Sequence, residues 1–96
     1  MIDRTVDVAV LATDHPVRAG AVLTVTLTAH ADVDAVVVTS PFGGTVALRE
    51  GAPGHWEGTL AVPDDTADDV WPLAGEVSLA DGRMLAVETR FRVLGR

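Results

Sequence analysis

The sequence predicts a single all-β domain, residues 1–96, in which two sheets pack face to face. Apolar and polar residues alternate with a period of two in about seven short runs, and no stretch has the helical period. Turn-forming Gly, Pro and Asp residues separate these runs about every ten residues. A single open sheet would leave a whole apolar face in water, so the runs are expected to form two layers of one sandwich.

The predicted strands follow this alternation. The clearest is Ala21–Ala29, whose apolar side chains face one way while Thr24, Thr26 and Thr28 face the other. The pair Asp81-Gly82 favours a tight hairpin between the last two runs. In chain order, the predicted strands are Thr5–Leu11, Ala21–Ala29, Asp32–Thr39, Thr45–Arg49, His55–Val62, Val70–Ala80 and Met84–Val93.

The start of the chain is predicted to be a strand followed by a turn. The first run places Val6, Val8 and Val10 on one face, and the segment His15–Gly20 then breaks the alternation. Proline removes a backbone donor and glycine permits a positive φ, so this segment is predicted to be a turn.

Composition and charge exclude several functional classes. The formal net charge of −7 argues against nucleic acid, because a phosphate-binding surface must be basic, and it disfavours anionic membrane surfaces. No apolar window is long enough to span a bilayer, so no membrane insertion is expected. The absence of cysteine excludes disulfides, thiolate metal sites and cysteine nucleophiles.

The compartment is left open by the sequence. No basic segment followed by an apolar one precedes the first strand, so no signal peptide is expected. An extracellular or cell-surface location is expected if the chain is excised from a larger protein, and a cytoplasmic one otherwise.

The layout resembles the bacterial immunoglobulin-like and fibronectin type III-like modules found in series along multidomain surface proteins. The resemblance rests on Pro16–Gly20 before Leu23–Leu27, on Gly54–Thr59, and on Asp81-Gly82 before the last strand. It implies a seven-stranded immunoglobulin-like β-sandwich over nearly the whole chain. Such modules are spacers, adhesins or docking units, so the resemblance implies binding or structure rather than catalysis. The paired cysteines and the tyrosine corner of antibody domains are missing, so antibody-type recognition is not implied.

This topology would gather the loops at two ends of the sandwich. The loops after the second, fourth and sixth predicted strands would bring together His30, Asp32, Glu50, His55 and Asp81. The loops after the first, third and fifth would bring together Asp14, His15, Asp64, Asp65, Asp68 and Asp69.

Two metal sites follow as hypotheses, although no resident cofactor is expected. The loop carboxylates Asp64, Asp65, Asp68 and Asp69 are candidate ligands for Ca²⁺, which takes about six to eight oxygens. His30 and His55 are candidate ligands for a transition metal. The alternative for both sets is an ordinary solvated loop.

No enzymatic activity is expected. Ser40 and Ser78 lack the glycine-rich elbow of serine hydrolases, and no motif joins either of them to a histidine.

A candidate interface is predicted on the outer face of the sheet formed by the third, sixth and seventh strands. A strand face covered by water normally carries polar residues, whereas this face is predicted to carry apolar ones within a charged border. The predicted patch consists of Val36, Val38, Ala74, Ala80, Met84 and Ala86, and its border of Glu76, Glu88, Arg90 and Arg92. The alternative is that the outward side chains are merely small, or that the valines lie under a loop.

The two tryptophans have different expected roles. Trp56 is in phase with Leu60 and Val62, which predicts a core position. Trp71 either caps one end of the core or is exposed as a binding anchor.

Three functions are compatible with these features. The first is a binding or structural module with a protein partner: an interaction or spacer unit of a larger assembly, or a small homodimer. The second is a ligand-binding domain of the adhesin type that uses one loop end, with or without Ca²⁺. The third is a non-catalytic accessory domain of a larger enzyme.

Overall fold

The computed structural model describes residues 9–14, 16–29 and 32–95 and confirms an all-β sandwich. The described residues form nine strands rather than seven, because the predicted fourth strand is divided in two and Val17–Arg18 was not predicted to be a strand. In chain order they are β1 Ala9–Thr13, β2 Val17–Arg18, β3 Val22–Ala29, β4 Val33–Thr39, β5 Thr45–Ala47, β6 Arg49–Glu50, β7 His55–Ala61, β8 Asp69–Leu79 and β9 Met84–Leu94. Across the described ranges, no helix has the length and apolar character needed to cross a membrane.

The strands form a four-stranded sheet in the order β1-β3-β7-β6 and a five-stranded sheet in the order β2-β9-β8-β4-β5. In the described chain, neighbouring strands are antiparallel except for β2 and β9, which are parallel. As predicted, the third, sixth and seventh predicted strands (β4, β8 and β9) share one sheet.

The core lies between the two sheets and consists of alternate residues from each strand. The prediction for β3 is confirmed, because Leu23, Val25 and Leu27 are buried while its threonines face outward. Burying these aliphatic side chains provides the main stabilisation of a domain with so few aromatic residues. The opposite sheet supplies Val36, Val38, Leu73, Val77, Phe91 and Val93.

The predicted fourth strand is in fact two strands in different sheets. Thr45–Ala47 pairs with β4, whereas Arg49–Glu50 pairs with β7. Between them, Leu48 is buried and donates its backbone N–H to the carbonyl of Val36 at 2.9 Å. Gly58 makes room for this crossing, because a Cβ there would lie 2.6 Å from Leu48 Cδ2. The chain therefore passes from one sheet to the other at Leu48.

The predicted turn at His15–Gly20 was wrong for two of its residues, which form β2. Val17 is buried and pairs with Val93. The turn itself lies at Gly20, whose φ of 88° places it in the left-handed region that glycine adopts without strain. A two-residue strand is too short to show alternation, so the sequence pattern did not reveal it.

The predicted first strand is described only from Ala9 onward, so Val6 and Val8 lie outside the described residues. β1 extends to Thr13, and its inward residue is Leu11, opposite Leu27 on β3. Val10 faces outward.

The predicted orientation of β4 was also wrong. Its register with β8 shifts between Val33 and Ala35, because Asp34 is an extra residue in the ladder. A bulge of this kind reverses which side chains face inward. Val36 and Val38 are therefore core residues with exposures of 1% and 0%, and neither is available to an interface.

Candidate functional site

The candidate site is the outer face of the five-stranded sheet, here called the outer face. Alternate residues of β4, β8 and β9 point away from the core and form it. Its members are Ala35, Val37, Thr39, Val70, Pro72, Ala74, Glu76, Met84, Ala86, Glu88, Arg90, Arg92 and Leu94, all of them exposed.

The outer face contains exposed apolar side chains. Val37 is 38% exposed and Met84 is 58% exposed, while Val70 and Leu94 are similarly accessible. The predicted patch residues Ala74, Met84 and Ala86 lie here as expected, whereas Val37 and Ala35 stand in place of the two buried valines. The charged Asp34 in an apolar run is the sequence signal that could have revealed the bulge.

Charged side chains on this face are ordered along the strands. Glu76 and Glu88 lie toward the hairpin that joins β8 and β9, and Arg90 and Arg92 lie toward the other end. Arg92 Nη2 contacts Asp68 Oδ1 at 2.6 Å. This pair is exposed, so it contributes little to stability.

Trp71 caps the core and is not an exposed anchor. It lies opposite Phe91 on β9, which turns its side chain inward, and its ring centroid is 5.1 Å from that of Phe42. Its indole N–H donates to the carbonyl of Ala67 at 3.2 Å. The predicted core position of Trp56 is confirmed.

The acidic loop after β7 is packed against the domain. Thr66 is buried, and its hydroxyl donates to the carbonyl of Pro63 at 2.7 Å. Gly20 and Gly95 lie directly beneath the loop. A Cβ on Gly20 would be 2.6 Å from Asp64 Oδ1, and a Cβ on Gly95 would be 2.5 Å from the backbone nitrogen of Asp68.

The calcium prediction for Asp64, Asp65, Asp68 and Asp69 receives no support from this geometry. Asp68 is paired with Arg92, and Asp69 Oδ1 accepts the N–H of Val70 at 2.7 Å. Over residues 9–14, 16–29 and 32–95, no three His, Asp or Glu side chains group closely enough to hold one metal ion. The carboxylates of Asp68 and Asp69 are therefore directed to different partners.

The structure brings together the loops as expected from immunoglobulin-like topology. At one end, Ala29 N–H donates to Gly54 O at 2.9 Å, and Ala80 N–H donates to Asp32 O at 3.0 Å. At the other end, Gly20 N–H donates to Val62 O at 2.9 Å. His30, which was predicted to bind a transition metal together with His55, lies outside the described residues, as does His15.

Asp81 organises the hairpin between β8 and β9. Its carboxylate accepts the backbone N–H of Arg83 at 3.0 Å and the Arg83 Nε–H at 2.8 Å. These interactions, the backbone hydrogen bond foremost, hold the pKa of Asp81 below its ordinary value.

A groove of about 610 Å³ lies on the other sheet, alongside β6 and β7. It is lined by Thr26, Arg49, Glu50, Gly51, Ala52, His55, Trp56, Glu57 and Thr59. Its charged side chains are all exposed, so the groove is a solvated depression.

No protein-family model matches the chain, and none of the curated protein sequences matches it. The fold is shared with solved structures, among them the following two. One is of the fibronectin(III)-like modules of Clostridium thermocellum CbhA, with 20% identity, a TM-score of 0.57, and coverage of 86% of this chain and 93% of the other. The second is CopC from Methylosinus trichosporium OB3b, with 18% identity, a TM-score of 0.52, and coverage of 92% and 95%. The predicted immunoglobulin-like, fibronectin type III-like sandwich is confirmed.

Proposed function

We propose that the chain is a non-catalytic module that binds a protein partner through the outer face and serves as one unit of a larger assembly. The observation that carries this proposal is the set of apolar side chains left in water on β4, β8 and β9. Val37, Met84 and Leu94 lie there beside small alanines and within reach of charged residues. Apolar surface bordered by charge has the composition of an interface.

The opposite outer face provides the contrast within the same molecule. Its central strand β3 presents Thr24, Thr26 and Thr28, which is what a water-covered strand face normally carries. Val10 and Val22 are exposed on that face, but they lie opposite Thr28 and Ala61 at different ends of β3. The outer face of the five-stranded sheet is therefore the better candidate for a partner.

A spacer role is supported by the direction of the strands. The described part of β1 runs from Ala9, which pairs with Ala29 at one end of the sandwich, toward the other end. β9 ends where Leu94 pairs with Arg18, at the opposite end. A chain that enters at one end and leaves at the other is suited to modules joined in series.

Site-specific photo-crosslinking in cells that produce the chain tests the binding proposal. A photoreactive phenylalanine analogue replaces Val37 on the outer face or, as the matched control, Val22 on the other sheet. Both valines are exposed, at 38% and 60%. We expect a discrete protein adduct from position 37 and none from position 22. Adducts from both positions to the same extent, or from neither, would contradict the proposal.

A further inference from the structure

We infer that the partner is a second copy of this chain, packed outer face to outer face about a two-fold axis that runs across β8 and β9. This inference rests on the proposed function and names its partner. It is carried by charge complementarity, because such an axis places Glu88 over Arg90 of the second copy. The same axis places Glu76 beside Arg92 of the second copy, which also contacts Asp68 of its own chain.

The register of β8 and β9 fixes the positions of these side chains. Ala74 pairs with Glu88, and Glu76 pairs with Ala86. The next inward-facing pair, Leu73 and Thr89, lies at the middle of the charged stretch. All the outward residues of β9 from Met84 to Leu94 are exposed, so the whole length of the strand is available.

A two-fold axis over Leu73 and Thr89, perpendicular to the strands, sets β9 antiparallel to β9 of the second copy. The two outward residues before Thr89 on one copy then face the two outward residues after Thr89 on the other copy. Glu88 faces Arg90 of the second copy, and Ala86 faces Arg92 of the second copy. Because Glu76 is the cross-strand neighbour of Ala86, it also lies beside that arginine.

Every acid–base contact in this arrangement occurs twice, as an isologous interface requires. The arginine and glutamate side chains can meet across two packed sheets, whose backbones lie about 10 Å apart. The strands of two packed sheets are usually inclined to one another by about 30°. This inclination displaces the Glu88–Arg90 contacts least, because they lie next to the two-fold axis.

The apolar residues are matched by the same axis. Ala74 lies over Pro72 of the second copy, and Met84 lies over Leu94 of the second copy. The pair of Ala74 and Pro72 is small and flat, and it lies next to the two-fold axis, where the sheets approach most closely. The larger pair is toward the ends of β9, where both side chains are exposed.

The charges on this face oppose self-association less than the net charge of the whole chain suggests. The chain carries a formal charge of −7, which opposes contact between two copies in general. On β8 and β9, however, the outward charges are two glutamates and two arginines, and Arg92 also contacts Asp68. Two copies therefore meet where positive and negative charges are mixed, with Glu88 and Arg90 as the self-complementary pair.

Sedimentation equilibrium from micromolar to millimolar concentration tests the inference. We expect the wild type to approach twice its monomer mass. Glu88→Arg and Arg90→Glu each place like charges opposite one another and should weaken dimerisation about a hundredfold. An equimolar mixture of the two variants restores opposite charges at both contacts and should form a heterodimer. Glu57→Arg, on the outer side of the other sheet, is the matched control and should dimerise like the wild type.

Circular dichroism checks that each variant is folded, and Glu88→Gln with Arg90→Gln tests the same contacts without a like charge. A wild type that stays monomeric to millimolar concentration would overturn the inference, as would a mixture that does not restore the dimer. A wild type that is monomeric but crosslinks to a different protein from position 37 would overturn the inference that the partner is a second copy. That result would still support the proposed function. The absence of any adduct at position 37 would overturn the proposed function itself.

Discussion

The rings of Phe42 and Trp71 lie 5.1 Å apart between centroids, with their planes inclined by 57°. Phe42 also meets Phe91 edge-on at 6.1 Å. The turn after β4 is thereby attached to the end of the core, and Ser40 Oγ helps by accepting the N–H of Phe42 at 3.0 Å. Aromatic pairs in such orientations are favourable beyond the area that they bury.

Replacing Phe42 with alanine should therefore destabilise the domain. We expect a loss of about 2 kcal/mol in the free energy of unfolding, below the usual cost for phenylalanine because this ring is only partly buried. Urea denaturation measures it, and the fluorescence of Trp71 should shift to the red as its neighbour is lost. Phe42→Leu, which keeps most of the apolar volume, should lose less; equal losses would contradict the role of the ring.

The bulge at Asp34 leaves Val36 buried in the core and its neighbour Val37 exposed on the surface. Val36→Ala should cost about 2 kcal/mol, because it leaves a cavity in the core. Val37→Ala should change the unfolding free energy by less than about 0.5 kcal/mol, because that side chain is on the surface. Chemical denaturation of the two variants checks this. The reverse order would mean that β4 has the unshifted register.

Close packing under the acidic loop predicts that replacing Gly95 with alanine destabilises the domain more than replacing Gly51. Neither Gly95 nor Gly51 has a positive φ, but a Cβ on Gly95 would lie 2.5 Å from Asp68 N, whereas Gly51 has no neighbour within 4 Å. Gly95→Ala should therefore cost about 1–3 kcal/mol as the loop is displaced. Gly51→Ala should be nearly neutral in thermal denaturation, and equal melting temperatures for both variants would argue against the packed loop.

The hairpin carboxylate Asp81 makes stability depend on pH. Its pKa is lowered in the folded state, so folding favours the ionised form. That contribution is complete above the ordinary aspartate value of about 3.9 and is lost as the pH falls through the lower folded value. Asp81→Asn should be less stable than the wild type at neutral pH, and the difference should close in acid. Urea denaturation of both proteins at each pH measures the difference, and a difference that stays constant into acid would contradict this role of Asp81.

The sequence predicted those parts of the fold in which alternation runs uninterrupted. β3 keeps its period for its whole length, and Asp81-Gly82 marks a hairpin whose geometry needs those residues. The errors occurred where one residue changes the phase or the sheet. Asp34 reverses β4, and Leu48 divides one predicted strand between two sheets. Alternation identifies a strand, but the sheet to which it belongs depends on contacts distant in sequence.

The orientation of residues in the candidate site was likewise predicted correctly only where the alternation is uninterrupted. Ala74, Met84 and Ala86 were placed correctly because β8 and β9 have a continuous register of ten paired residues from Asp69–Val93 to Ser78–Met84. Val36 and Val38 were misplaced because the bulge precedes them. The packing of Trp71 against Phe42 depends on a turn whose position over the core had no signal in either segment alone.

The parallel pairing of β2 with β9 has a mechanical consequence. Val17 lies beside Val93, Arg18 lies beside Leu94, and the N–H of Ala19 bonds the carbonyl of Leu94 at 3.1 Å. Tension between the two ends of the chain pulls these parallel strands in opposite directions along their length. Their hydrogen bonds are then loaded together, in shear, and do not open one after another as they would in a hairpin pulled from its open end. Forced unfolding is governed by the unfolding rate, so this contact is expected to resist stretching together with the β1–β3 pairing, which the same tension loads along the strands.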